Sequence, residues 1–112
     1  MVKSQRQQSW SEYLDSEKRN KLFVRYVFAP DYKSIAEFAV SYLIIENDDT
    51  YSEILRYDCS EAESVHVHKF FCHPPLKKYL DKEKSFETLM EFADEIRKNW
   101  RIFLVQFSEN KQ

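Results

Sequence analysis

From Phe86 to Phe107 the residues Phe86, Leu89, Met90, Ala93, Ile96, Trp100, Phe103, Leu104 and Phe107 recur at spacings of three and four. That is the period of one face of a helix. The stripe persists for about six turns at 3.6 residues each. A stripe of that width must lie on a large apolar surface, so the rest of the chain has to provide one. Ser85 stands at the N-cap position, with Thr88 in place of the Glu of a capping box. Glu87, Glu91, Asp94, Glu95, Lys98 and Arg101 fall on the opposite, solvated face. The spacing predicts a helix over 85–108.

The surface is predicted from 21–73. Lys21 to Ala29 alternates Leu22, Val24, Tyr26 and Phe28 with Phe23, Arg25 and Val27, the period-two pattern of a strand. Pro30-Asp31 ends it. Ile35 to Glu46 is a long second strand whose middle is apolar enough to be covered on both faces. Asn47 to Thr50 turns the chain, and Tyr51 to Cys59 and Val65 to Cys72 complete the sheet. The expected fold class is α+β: a four-stranded antiparallel meander packed against one long C-terminal helix. In the N-terminal segment (1–20), Ser9 or Ser11 can cap a short helix bearing Trp10, Tyr13 and Leu14 on its apolar side. Residues 74–84, with Pro74, Pro75, Lys77, Lys78, Lys82 and Lys84, read as an extended basic connector.

At 112 residues the chain is expected to be one domain. It contains no glycine, which excludes Gly-rich phosphate loops and dinucleotide fingerprints. Its net charge of −2 is not that of a general nucleic-acid binder. Cys59 and Cys72 match no zinc-ribbon spacing and fall on opposite strand faces, which argues against a disulfide between them. No stretch resembles a signal peptide or a membrane span. The expectation is a cytoplasmic protein with free thiols.

The chemistry-bearing stretch is the last hairpin. If Cys59 stands opposite Val65, then Asp58 faces His66 and Arg56 faces His68 on one side of the sheet. Leu55, Tyr57, Cys59, Val65, Val67 and Phe71 fall on the other. A slip of one residue would separate the imidazoles from Arg56 and Asp58, and the apolar match favours the unslipped register. Arg56, Asp58, His66 and His68 are the candidate catalytic residues. Two imidazoles can supply a proton acceptor and donor for cleavage of a phosphodiester such as RNA. Arg56 would grip the phosphate and Asp58 would fix the His66 tautomer. Lys69, Lys77 and Lys78 would steer the backbone, and Tyr57 or Tyr79 would stack a base. That reading needs no metal and no cofactor. Two alternatives stay open. The four polar side chains can simply pair on an exposed sheet surface. Or His66 and His68 can hold a metal ion with Asp58 or His73 as third ligand, although Arg56 opposes a cation there.

The run Arg56-Tyr57-Asp58, then His66-x-His68, a Lys- and Pro-containing connector, and a helix carrying Asn99-Trp100 resembles a family of small prokaryotic proteins. One branch of that family resembles the TumE-type toxins of toxin–antitoxin modules. The resemblance spans roughly 38–107. It implies a toxin-like protein acting on RNA and neutralised by a helix-turn-helix antitoxin. Where the related proteins have Asn, Ala or Gly and an early His after the Asp, this chain has the acidic turn Cys59 to Glu63, which would repel a phosphate. A non-catalytic interaction module is the alternative, binding a protein through the sheet face or through Trp10, Trp100, Phe103 and Phe107. An exposed edge strand would also admit a homodimer.

Overall fold

The computed structural model describes residues 6–47 and 50–110. Six strands precede one helix: β1 (Gln7–Tyr13), β2 (Asn20–Phe28), β3 (Ile35–Ile45), β4 (Tyr51–Cys59), β5 (His66–Lys69), β6 (Leu76–Tyr79) and α1 (Phe86–Asn110). The strands form one antiparallel sheet in the order β1-β2-β3-β4-β5-β6. The α+β class, the C-terminal helix and the antiparallel sheet hold. The sheet has six strands rather than four among the described residues, and Trp10 and Tyr13, predicted to lie on an N-terminal helix, lie in strand β1 instead.

Both added strands lie at edges. In β1, Gln8, Trp10 and Glu12 pair with Tyr26, Val24 and Leu22 and share the helix side of the sheet. Trp10 packs edge-on against Tyr26, with centroids 6.2 Å apart. Strand parity sends Tyr13 to the opposite side, where it is exposed. Backbone pairing along the free edge of β2 outweighs the weak cap at Ser9 or Ser11, because a seven-residue polar helix has little propensity of its own. The first five residues of the predicted N-terminal segment lie outside the described residues. At the other edge, β6 occupies the predicted connector. His73–Pro74 is cis, and the chain turns back so that Leu76 to Tyr79 pairs with Lys69 to His66. Lysines on an exposed edge are an ordinary guard against further strand pairing. Strand β5 is shorter than predicted: the Phe70 N–H still donates to the Ile54 carbonyl on β4 (3.0 Å), and a turn closed by the Cys72 N–H on the Lys69 carbonyl (3.2 Å) ends the pairing there.

Helix α1 begins as its sequence requires, with Ser85 Oγ accepting from the Thr88 N–H at 3.1 Å. Its apolar stripe covers one side of the sheet. Leu89, Ala93 and Ile96 are fully buried with Leu22, Val24, Phe38, Val40, Tyr42, Leu55 and Val67. Each large aliphatic side chain removed from water this way stabilises the fold by roughly 1.5–3 kcal/mol. Tyr57 lies flat on Phe92, with centroids 4.0 Å apart and 2° between planes. Trp100 meets Tyr42 edge-on. Among the described residues no layer covers the opposite side of the sheet.

Candidate functional site

The uncovered side of the sheet carries the site. Asp58 pairs with His66 and Arg56 with His68, the register that the apolar alternation demands. A β-bulge between Tyr42 and Leu43 on β3 and the facing strand shifts the parity before Leu55. Ile54 and Leu55 are therefore both buried, and Glu53 comes round to the side of Arg56.

Arg56 donates from Nε to Asp58 Oδ2 at 2.6 Å and from a terminal nitrogen to Glu53 Oε1 at 2.7 Å. Ser41 Oγ donates to the other Glu53 oxygen at 2.9 Å. The guanidinium is thus committed to two carboxylates. It braces Asp58 and is not poised to grip a phosphate with both arms.

His66 is 2% exposed. Its Nδ1 donates to the Ser64 carbonyl at 2.8 Å. That bond fixes the ring and leaves Nε2 facing Asp58 Oδ1 at 2.5 Å and His68 Nε2 at 3.1 Å. His68 stacks on Phe70 (5.6 Å, 4°). Partial burial, helped by the Arg56 charge and opposed by Asp58, pulls its imidazolium below the usual range and favours the neutral ring. One oxygen of Asp58 and one nitrogen from each imidazole lie within 4.8 Å of one another. Glu63 stands behind them. Its Oε1 is 3.8 Å from His66 Nε2, while Oε2 accepts from Lys77 and from the Tyr79 hydroxyl. The Lys77 and Tyr79 bonds draw the Glu63 carboxyl down to about 2, so it is anionic.

Beside the cluster runs a groove of about 450 Å³. Ala39 and Ser41 form its floor, where small side chains leave room. Phe23 and Arg25 stand on one flank, and Arg56 and Asp58 on the other. Its volume falls within the range of small-ligand sites.

Arg56, Asp58, His66 and His68 meet as the spacing predicts, and Lys77 and Tyr79 adjoin them through Glu63. Tyr57 does not join them. It faces the helix against Phe92, so it cannot stack a base beside the imidazoles. By strand alternation Lys69 and Lys78 fall on the Tyr57 side as well. His73 is not among the converging groups. Trp100 is a core residue beneath Arg101, and Trp10 and Phe103 are partly buried against the core. Cys59 is buried, and burial pushes its thiol up, as suits an inert core residue. Glu53, Ser41, Glu63 and Ser64 complete the site without having been predicted. A bulge delivers Glu53 and a loop delivers Glu63 and Ser64, and neither leaves a periodic trace, whereas Ser41 follows ordinary alternation on β3 opposite Arg56. Among the described residues no helix is long and apolar enough to cross a membrane.

No curated protein and no solved structure matches the chain. The family model for DUF7718, a domain of unknown function, matches residues 3–112, and the chain belongs to that family.

Proposed function

We propose that the uncovered side of the sheet is a hydrolytic centre for phosphodiesters, with RNA as its substrate. Asp58, His66 and His68 are its working groups, and the protein acts as the toxin of a toxin–antitoxin pair. The observation that carries the catalytic part is the convergence of two imidazole nitrogens and one carboxylate oxygen beside an open groove. His66 is almost wholly buried at that point, so its ring is held against Asp58 and His68 instead of lying loose on the surface. RNA as substrate, the toxin role and a helix-turn-helix antitoxin as partner rest on the resemblance of Arg56-Tyr57-Asp58 and His66-x-His68 to the TumE-type toxins. Arg56 enters this reading as a positioning residue that holds Asp58.

The test is induced expression of the wild type beside His68→Ala and a His66→Gln, His68→Ala pair. Growth and bulk RNA integrity are followed, and circular dichroism verifies that each variant folds. Growth arrest with RNA loss in the wild type alone is the expected result. Arrest by all three proteins would remove the imidazoles from the mechanism, and arrest by none would remove the toxin.

A second reading has an observation of its own. Ile102 and Val105 are 56% and 54% exposed in the C-terminal half of α1. In that reading this half docks a protein partner and the sheet site is incidental. Ile102→Glu would then abolish complex formation while His68→Ala leaves it intact.

A further inference from the structure

We infer that Asp58, His66 and His68 bind a divalent first-row transition-metal ion such as Zn²⁺, with open coordination positions toward the groove. The inference rests on the hydrolytic reading for its purpose, and on the donor geometry for its substance.

Three observations carry it. The first is the donor set. Two imidazole nitrogens and a carboxylate oxygen suit zinc and its neighbours. Ligand bonds of about 2.0–2.2 Å place neighbouring donors roughly 3–3.5 Å apart by tetrahedral geometry. The observed separations are 3.1 Å between the imidazole nitrogens, 2.5 Å from His66 to Asp58 and 3.9 Å from His68 to Asp58, so a small movement of the Asp58 carboxylate away from His66 and toward His68 would admit an ion.

The second is the support behind the donors. Metal-bound histidines almost always donate their other ring N–H to a carbonyl or carboxylate, and bound carboxylates are themselves hydrogen-bonded. His66 donates to the Ser64 carbonyl. Asp58 presents Oδ1 to the cluster and gives Oδ2 to Arg56, which Glu53 and Ser41 hold in turn. His66 is almost wholly buried, and its Nε2 faces Asp58 and His68.

The third is charge. Glu53, Asp58 and Glu63 surround the cluster, against Arg56 and Lys77. Three carboxylates against two cations leave a negative surplus, concentrated where Asp58 and Glu63 oxygens approach the same imidazole nitrogen. The two carboxylates on Arg56 also answer the objection that its charge would repel an ion. A metal would in addition supply what a phosphodiester centre otherwise lacks here, because the one arginine beside the imidazoles is already engaged.

The alternative occupant of the same point is a proton on His66, making an ion pair with Asp58. The full chain, freed of metal by a chelator and dialysed, is titrated with Zn²⁺ by calorimetry. A second titration with Co²⁺ is followed by its visible absorption. One ion per chain and a cobalt spectrum of low, four-coordinate symmetry are expected. His68→Ala and Asp58→Asn should each weaken binding by more than about tenfold, while His73→Ala leaves it unchanged. Failure of the wild type to bind, or equal binding by His68→Ala and Asp58→Asn, would overturn the metal site in favour of the proton. Because the titration needs no substrate, metal binding without RNA cleavage would sink the hydrolytic reading and keep the site. RNA cleavage by a wild type that binds neither ion would do the reverse.

Discussion

Tyr57 shows how far one residue's environment can be read as chemistry. Its ring is pressed flat on Phe92, and burial, with a smaller push from Glu95, raises its phenol to about 12. Tyr42, fully buried, is pushed up as well by that burial and, less, by the Asp15 charge, and its hydroxyl donates to Asn20 Oδ1 at 2.5 Å. The folded state therefore favours the neutral phenol in both. That contribution to stability is complete below the unfolded value near 10 and is lost as pH rises toward 12. An ultraviolet titration of the native protein should show a late-ionising tyrosine fraction that coincides with alkaline unfolding. Tyr57→Phe should remove part of that fraction and keep the stacking. If Tyr57→Phe leaves the late fraction whole, the ring is wetter than its packing implies.

At the scale of elements, β1 is held to the body by one fork of charge as well as by its ladder. Arg97 on the helix donates from Nε and a terminal nitrogen to the two oxygens of Glu12, at 3.0 and 2.9 Å. The arginine also holds Asp94 at 2.6 Å. Hydrogen bonding by Arg97 keeps the Glu12 carboxyl below its ordinary range, so the stabilisation is present at neutral pH and fades as acid protonates Glu12. Both side chains are about one-third exposed, which limits the pair to about 0.5–1 kcal/mol at low salt. A double-mutant cycle with Glu12→Gln and Arg97→Gln should return that coupling, and added salt should shrink it. A coupling indistinguishable from zero at low salt would mean that the ladder alone holds β1.

The same elements show what local sequence can and cannot carry. Strands β2, β3 and β4 and the helix are legible because each buries an apolar face with its own period. The hairpin register is legible because one slip would put Val67 on the uncovered side of the sheet and His66 under the helix. Edge strands lack that signature. Gln7 to Tyr13 and Leu76 to Tyr79 become strands because a neighbour offers unpaired backbone groups, and that offer is a property of the fold. Glu53 was hidden for a related reason. Strict alternation puts residues 53 and 56 on opposite faces, and only the bulge reunites them. The histidine pair could be found by counting in twos, whereas the Glu63 carboxylate on its loop could not.

For the molecule as a whole, the site occupies the thin end of the sheet. The centre is deep: β3 runs for 11 residues between β2 and β4, and its Phe38, Val40 and Tyr42 are fully buried under the helix. The cluster hangs instead on β5, a four-residue strand whose outer neighbour β6 also has four residues, all exposed. What joins this end together is Glu63, reaching from the hairpin loop to Lys77 and Tyr79 on β6. Few buried contacts and short ladders mean low local unfolding free energy, so β5 and β6 should open well before the centre does. Native-state hydrogen exchange should accordingly grade from slow β3 amides to fast β6 amides. Tyr79→Phe deletes one bond to Glu63 and no apolar contact of the ring. It should speed exchange in β5 and β6 by a few-fold and leave β3 unchanged, since a hydrogen bond to a charged partner is worth roughly 1 kcal/mol or more only when it is sheltered from water. Equal acceleration in β3 would show instead that the sheet opens as one unit. In that case the donor positions of Asp58 and His66 would be as rigid as the core, and the small movement of Asp58 toward His68 that an ion requires would have to come from its side chain alone.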